Sequence, residues 1–117
     1  MNKVLIVDDD RESRETLATL VRLSIPGVET LLAANGQVGI ELALLHRPSA
    51  VVLDVEMPLC DGLEVAAKIR ASMGRATPLL IGTSGNVLRL EKGLGAGLFD
   101  HALTKPILIA ELVHLLS

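Results

Sequence analysis

Short apolar runs alternate with longer segments of helical period five times along the chain. The first run, Lys3–Val7, is almost wholly Val, Leu and Ile, and it stops at Asp8-Asp9-Asp10. Leu17, Leu20, Val21 and Ser24 recur at the spacing of one helix face and predict a helix from Arg11 to about Leu23, ahead of Pro26-Gly27. Glu29–Ala33 predicts a second strand and Asn35-Gly36 a turn; Val38, Ile40–Leu42 and Leu45 predict a second helix closed by Arg47-Pro48. Ala50–Leu53 predicts a third strand that runs directly into Asp54. Asp61 is placed to cap a third helix that continues through Leu63, Ala66, Ala67, Ile69 and Arg70 to about Ser72. Pro78–Ile81 predicts a fourth strand, Asn86–Gly93 a weaker helix among glycines, and Ala102–Leu103 a short fifth strand. Pro106 sits where proline favours a first helical position, so the last helix is predicted over Ile107–Leu116.

Strands that are apolar throughout bury both faces. The pattern therefore predicts a five-stranded parallel sheet with helices on both sides, a doubly wound α/β fold in one domain over residues 1–117. Composition narrows the core: half the residues are hydrophobic but there is one Phe and no Trp or Tyr, so Leu, Val, Ile and Ala must fill it. A net charge of −3 offers no basic surface for nucleic acid. No apolar run reaches the roughly 20 residues a membrane span needs, and the N-terminus has no signal-peptide pattern. Cys60 is the only cysteine and has no partner for an internal disulfide, so a reducing cytoplasm is the expected compartment.

Ligands of open parallel sheets bind at the carboxyl ends of the strands. Those ends are unusually polar here. The first strand delivers Asp8, Asp9 and Asp10, the third Asp54, the fourth Thr83 and Ser84, and the fifth Thr104 and Lys105, whereas the second delivers only Ala33 and Ala34. Two carboxylates about 4 Å apart repel by roughly 4 kcal/mol at an effective dielectric near 20. A cluster of them calls for a cation, and oxygen ligands of this kind suit Mg²⁺, which keeps waters and reaches out to phosphate. Carboxylate, divalent metal, Lys105 and the Thr83 hydroxyl together form a phosphoryl-transfer set. Asp10 and Asp61 read instead as helix caps.

The whole chain resembles the receiver domain of bacterial response regulators. The marks are Val4-Leu-Ile-Val-Asp8-Asp9, the block Asp54-Val-Glu-Met-Pro58-Leu-Cys-Asp61-Gly62, Thr83, and Leu103-Thr-Lys105-Pro106. The resemblance implies a flavodoxin-like fold with strand order 2-1-3-4-5. It implies that Asp54 becomes an acyl phosphate, with the phosphoryl group coming from a histidine kinase or histidine phosphotransfer protein. It further implies that Asp9 and Asp54 bind Mg²⁺, with Asp8 acting through water or as a second ligand and the Glu56 backbone carbonyl completing the protein ligands. Thr83 and Lys105 would contact the phosphoryl oxygens, and Met57-Pro58 and Asp61-Gly62 would shape the loop. Such a module is not an enzyme on a separate substrate; it catalyses only its own phosphorylation and dephosphorylation. Its output partner or fused domain is not legible.

Several positions depart from the family pattern. Three residues before Lys105, where the family carries a switch aromatic, stands Ala102. Phe99 and His101 are near, but His101 is one residue off, reads as loop before the fifth strand, and would face the other way. Ser84 stands where Ala is usual and offers a second hydroxyl for phosphate, and Leu98 stands where Gly is usual. Glu56 and Gly85 occupy positions that tune phosphoryl lifetime in this family. Cys60 reads as a small loop residue, and His46 and His114 as surface residues near helix ends. Three other functions compete with the leading one. A small phosphatase with an aspartyl-phosphate intermediate would use the Asp54-x-Glu56 spacing. A flavin module would use Gly82-Thr-Ser-Gly-Asn86, but it lacks an aromatic to stack on the ring. A phosphorylation-independent docking module would need none of the acidic pocket.

Overall fold

A computed structural model describes residues 3–117; Met1 and Asn2, the start of the expected domain, lie outside the described residues. In chain order the elements are β1 (Lys3–Val7), α1 (Arg11–Ser24), β2 (Glu29–Ala33), α2 (Gly36–His46), β3 (Ala50–Asp54), β4 (Glu56–Met57), β5 (Cys60–Asp61), α3 (Gly62–Met73), a 3₁₀ turn (Gly74–Ala76), β6 (Leu79–Ser84), α4 (Val87–Gly95), β7 (His101–Thr104) and α5 (Ile109–Leu116). Five strands form one parallel sheet in the order β2-β1-β3-β6-β7. With the small β4–β5 hairpin set aside, this is the 2-1-3-4-5 pattern expected. The chain reverses direction across the sheet beside β1, and that switch lies between the carboxyl ends of β1 and β3.

Side-chain alternation along the strands sorts the core into two layers. Leu5, Val7, Val51, Leu53 and Leu80 face one side and pack with Ala43 of α2, Val65, Ala66 and Ile69 of α3, and Leu90 of α4. Val4, Ile6, Ala50, Val52 and Ile81 face the other and pack with Ala18 and Val21 of α1 and Leu112 and Leu116 of α5. All five residues of β3 are buried, as a central strand covered on both faces requires. Each fully buried Leu, Val or Ile contributes about 1.5–3 kcal/mol by leaving water. Asp10, Asn35, Asp61 and Asn86 cap α1, α2, α3 and α4, their side-chain oxygens accepting from the N–H of Ser13, Val38, Leu63 and Arg89. No helix is long and apolar enough to cross a membrane among the described residues.

The single aromatic is buried where the sequence makes room for it. Phe99 lies against Gly82 of β6 and Gly93 of α4; a Cβ on Gly82 would stand 2.6 Å from the ring and one on Gly93 2.4 Å. The two glycines form the slot that a residue of this volume needs.

Several sequence expectations shift. α1 turns inward on Leu17, Ala18 and Val21, while Leu20 and Ser24 are exposed, because small Ala18 lets the helix approach the sheet. α2 starts at Gly36 and buries its small residues Gly36, Gly39 and Ala43, leaving Val38 and Leu45 outward; a Cβ on Gly39 would meet Val7 at 2.9 Å. β6 runs on to Ser84 because Gly82 and Thr83 still pair with Leu53 and Asp54. His101 is the first residue of β7, paired with Ile81, and not loop. Pro106 does not open α5: it lies in the bend that follows β7, and the helix starts at Ile109 with Leu108 at its N-cap position.

Candidate functional site

The carboxyl edge of the sheet gathers the predicted residues. Asp8, Asp54, Thr83 and Ser84 are buried, Lys105 is half-buried and Asp9 is exposed. Asp54 sits at the end of β3 with both oxygens engaged. Oδ1 accepts the Glu56 N–H at 2.9 Å, and Oδ2 faces Lys105 Nζ at 3.1 Å. The tight passage from β3 into α3 depends on Gly62, since a Cβ there would lie 2.5 Å from Val55 Cα and 2.7 Å from the Asp54 carbonyl oxygen. That close approach explains the Asp61-Gly62 pair in the sequence block.

Asp8 Oδ1 accepts the Asp10 N–H at 2.9 Å, and its carbonyl accepts from Arg14 Nη1 at 2.8 Å. One carboxylate oxygen from each of Asp8, Asp9 and Asp54 can be chosen so that all lie within 4.8 Å of one another. Burial, reinforced by the charges of Asp54 and Asp9, raises the Asp8 carboxyl above the ordinary aspartate value, against the Asp10 N–H and Lys105. Crowded hard carboxylate oxygens are what a small divalent cation relieves, so the trio fits Mg²⁺. Asp8, Asp9 and Asp54 are the carboxylates that could hold it. Asp10 is set apart as a cap: Ser13, through its hydroxyl and then its N–H, holds the Asp10 carboxyl below the ordinary value.

Thr83 Oγ1 reaches the Leu53 carbonyl at 3.5 Å, the outer limit of a hydrogen bond, so its hydroxyl is weakly committed. Ser84 differs from expectation. Its hydroxyl, expected to be available to phosphate, donates to the Glu56 carboxylate and accepts the Asn86 N–H at 2.9 Å. The Ser84 hydroxyl, followed by the Asn86 and Gly85 N–H groups, lowers the Glu56 carboxyl. The histidines and Cys60 stay outside the cluster. His101 and His114 line a groove of about 470 Å³ with Ala102 and Glu111, His46 ends α2, and the half-buried Cys60 packs beside Gly36.

Arg14 and Arg89 are the site neighbours that sequence reasoning missed. Arg89 Nη2 lies 2.6 Å from Asp61 Oδ1. The partners are 28 residues apart, and a lone arginine on an amphipathic helix gives no sign of such a contact. Arg14 had a fainter signal, one helical turn before the inward Leu17 and Ala18.

The doubly wound sheet and the acidic pocket at its switch point define a class of α/β domain. Residues 4–117 match the model of the response regulator receiver domain, and the chain belongs to that family. "Response regulator MprA" of Mycolicibacterium vanbaalenii is 43% identical over 112 residues, covering 95% of this chain and 47% of the relative. The protein of the same name from Mycobacterium leprae is 42% identical over the same length and coverage. The chain thus spans about half the length of the curated relatives it matches. Among solved structures, the N-terminal domain of a Wolinella succinogenes protein is similar at 35% identity and a TM-score of 0.83, covering 98% of this chain and 89% of that one. A CheY-like receiver domain from Methylobacillus flagellatus is similar at 28% identity and 0.86, covering 99% and 96%. The chain is a receiver domain of the two-component response regulators.

Proposed function

We propose that this receiver takes a phosphoryl group onto Asp54, in a Mg²⁺-dependent reaction, from the phosphohistidine of a histidine kinase or phosphotransfer protein in the cytoplasm. The observation that carries the reading is the setting of Asp54: buried, bonded to the Glu56 N–H at 2.9 Å and to Lys105 at 3.1 Å, with Asp8 and Asp9 close by. An Asp54 carboxylate oxygen attacks phosphorus in line. The P–N bond to the donor imidazole breaks, its electron pair leaves with the ring, and the product is a mixed acyl phosphate. Lys105 offsets charge on the phosphoryl oxygens, and the weakly held Thr83 hydroxyl is free to donate to one of them. A bound divalent ion supplies the remaining neutralisation of those oxygens. Water later attacks the acyl phosphate, returning the carboxylate and releasing inorganic phosphate; this self-directed chemistry is the only catalysis in the reading.

Phosphorylation then shifts a conformational equilibrium. Ala102 leaves no ring at position 102 to follow Thr83, so transmission in this receiver takes a route other than that aromatic. The test is incubation with Mg²⁺ and acetyl phosphate, then intact-mass measurement. The wild type gains about 80 Da, one phosphoryl group, and Asp54→Asn gains nothing. Absence of the adduct in wild type, or its persistence in Asp54→Asn, would sink the reading.

A further inference from the structure

The β4–β5 hairpin beside Asp54 is gripped at two points by the β6–α4 corner. Glu56 and Asp61 stand opposite each other in the hairpin register. Like charges facing across a strand pair repel, and both carboxylates turn to partners elsewhere. Glu56 Oε1 accepts from the Ser84 hydroxyl, and Asp61 Oδ1 accepts from Arg89 Nη2 at 2.6 Å. Ser84 is fully buried, and its oxygen already receives the Asn86 N–H at 2.9 Å, which leaves its own hydrogen for Glu56. Arg89 Nε is buried with no partner among the described residues, so Asp61 is what holds this guanidinium.

The same hairpin carries the peptide that orients the phosphoacceptor. Glu56 N–H donates to Asp54 Oδ1 at 2.9 Å, and the other oxygen faces Lys105. The plane of the Asp54 carboxylate therefore depends on where the Glu56 peptide sits. We propose that Ser84 and Arg89 are positioning residues for Asp54: by holding Glu56 and Asp61 they keep the Glu56 N–H on Asp54 Oδ1, and so keep the carboxylate in the orientation from which it attacks phosphorus. This rests on the phosphoacceptor reading above. Among the described residues neither side chain hydrogen-bonds Asp54; both act through the hairpin.

The test pairs an exchange measurement on unphosphorylated protein with a rate. Amide hydrogen exchange at Glu56 is followed by NMR in wild type, Ser84→Ala, Arg89→Ala, the double variant and Arg89→Lys. The double variant exchanges at Glu56 about 10-fold faster while β1 and β3 amides keep their rates, and Arg89→Lys recovers part of the protection lost in Arg89→Ala. Phosphoryl uptake from acetyl phosphate with saturating Mg²⁺ slows about 10-fold in the double variant, within the range that misplacing a reacting group costs. Unchanged Glu56 exchange overturns the proposal. So does faster exchange that tracks every core amide, which marks mere loss of stability, and so does faster Glu56 exchange with uptake at the wild-type rate. No uptake by wild type overturns the phosphoacceptor reading, whereas the exchange comparison judges the hairpin grip by itself.

Discussion

The two sides of the pocket are held by different forces. On the β1–β3 side, Asp8 and Asp54 are buried at the switch point, and their charges meet Lys105, backbone N–H groups and a site fit for a divalent ion. On the β7 side, the edge strand exposes His101 and Thr104, leaves Ala102 half-buried above an open groove, and leans on the packing of Phe99 between Gly82 and Gly93. Buried charge tolerates few substitutions, because every carboxylate needs a compensating partner. Packing at an edge strand tolerates many, provided volume is conserved. The strand-end set of the β1–β3 side is thus present residue by residue, while the β7 side carries alanine at 102 and a buried ring at 99.

The largest expected effect tests the packing side. Phe99→Ala should destabilise the fold by about 3–5 kcal/mol, since two glycines offer no side chains to fill the void; Gly82→Ala should cost about 1–3 kcal/mol by overpacking. Denaturant unfolding measures both, and a loss for Phe99→Ala below that of an average surface change breaks the contrast. Lys105→Ala tests the charge side: it should slow phosphoryl uptake roughly 10²-fold, as removal of one charge-stabilising donor does. Quench-flow mass measurement with acetyl phosphate reads it, and an unaltered rate removes Lys105 from the chemistry.

A smaller effect separates two aspartates of the same side. Folded Asp8 keeps its proton to higher pH than the unfolded chain does, so it costs the metal-free fold stability as pH rises from the ordinary aspartate range through its folded value. Asp10 has the opposite sign: its depressed carboxyl contributes stability above the ordinary range that disappears as pH falls through its folded value. Melting temperatures in chelator should therefore fall less steeply over the Asp8 window in Asp8→Asn than in wild type, and Mg²⁺ should flatten the wild-type curve. Equal slopes count against burial and repulsion at Asp8. The smallest effect is expected at Ala102→Tyr, within about 0.5 kcal/mol in stability and with uptake unchanged; a slowed uptake would join the two sides that the comparison separates.

Much of this was legible because it rests on local chemistry. Strand periodicity exposed the central strands, and the burial of all of β3 follows from an apolar run with no polar face. Asp10 and Asp61 were readable as caps because short carboxylates before a helix satisfy its first N–H groups. Boundaries failed where partners were remote. β6 lengthened because β3 continues to pair with it, and His101 became strand because Ile81 receives it. Hydrophobic size alone does not give the inward faces of α1 and α2: Leu17 and Val21 turn inward but Leu20 does not, and close helix–sheet approach favours Ala18, Gly39 and Ala43.

By itself, the sequence determined the doubly wound order of elements, the family, and the strand-end set of Asp8, Asp9, Asp54, Thr83 and Lys105. It could do so because strands deliver their terminal residues to one edge whatever the details of packing. Only the tertiary structure decided that Ser84 serves Glu56, that Arg89 reaches Asp61 across 28 residues, and that Phe99 fills a slot cut by two glycines. Those contacts arise where separate elements meet, and their geometry depends on distances between helices and sheet that no local pattern encodes.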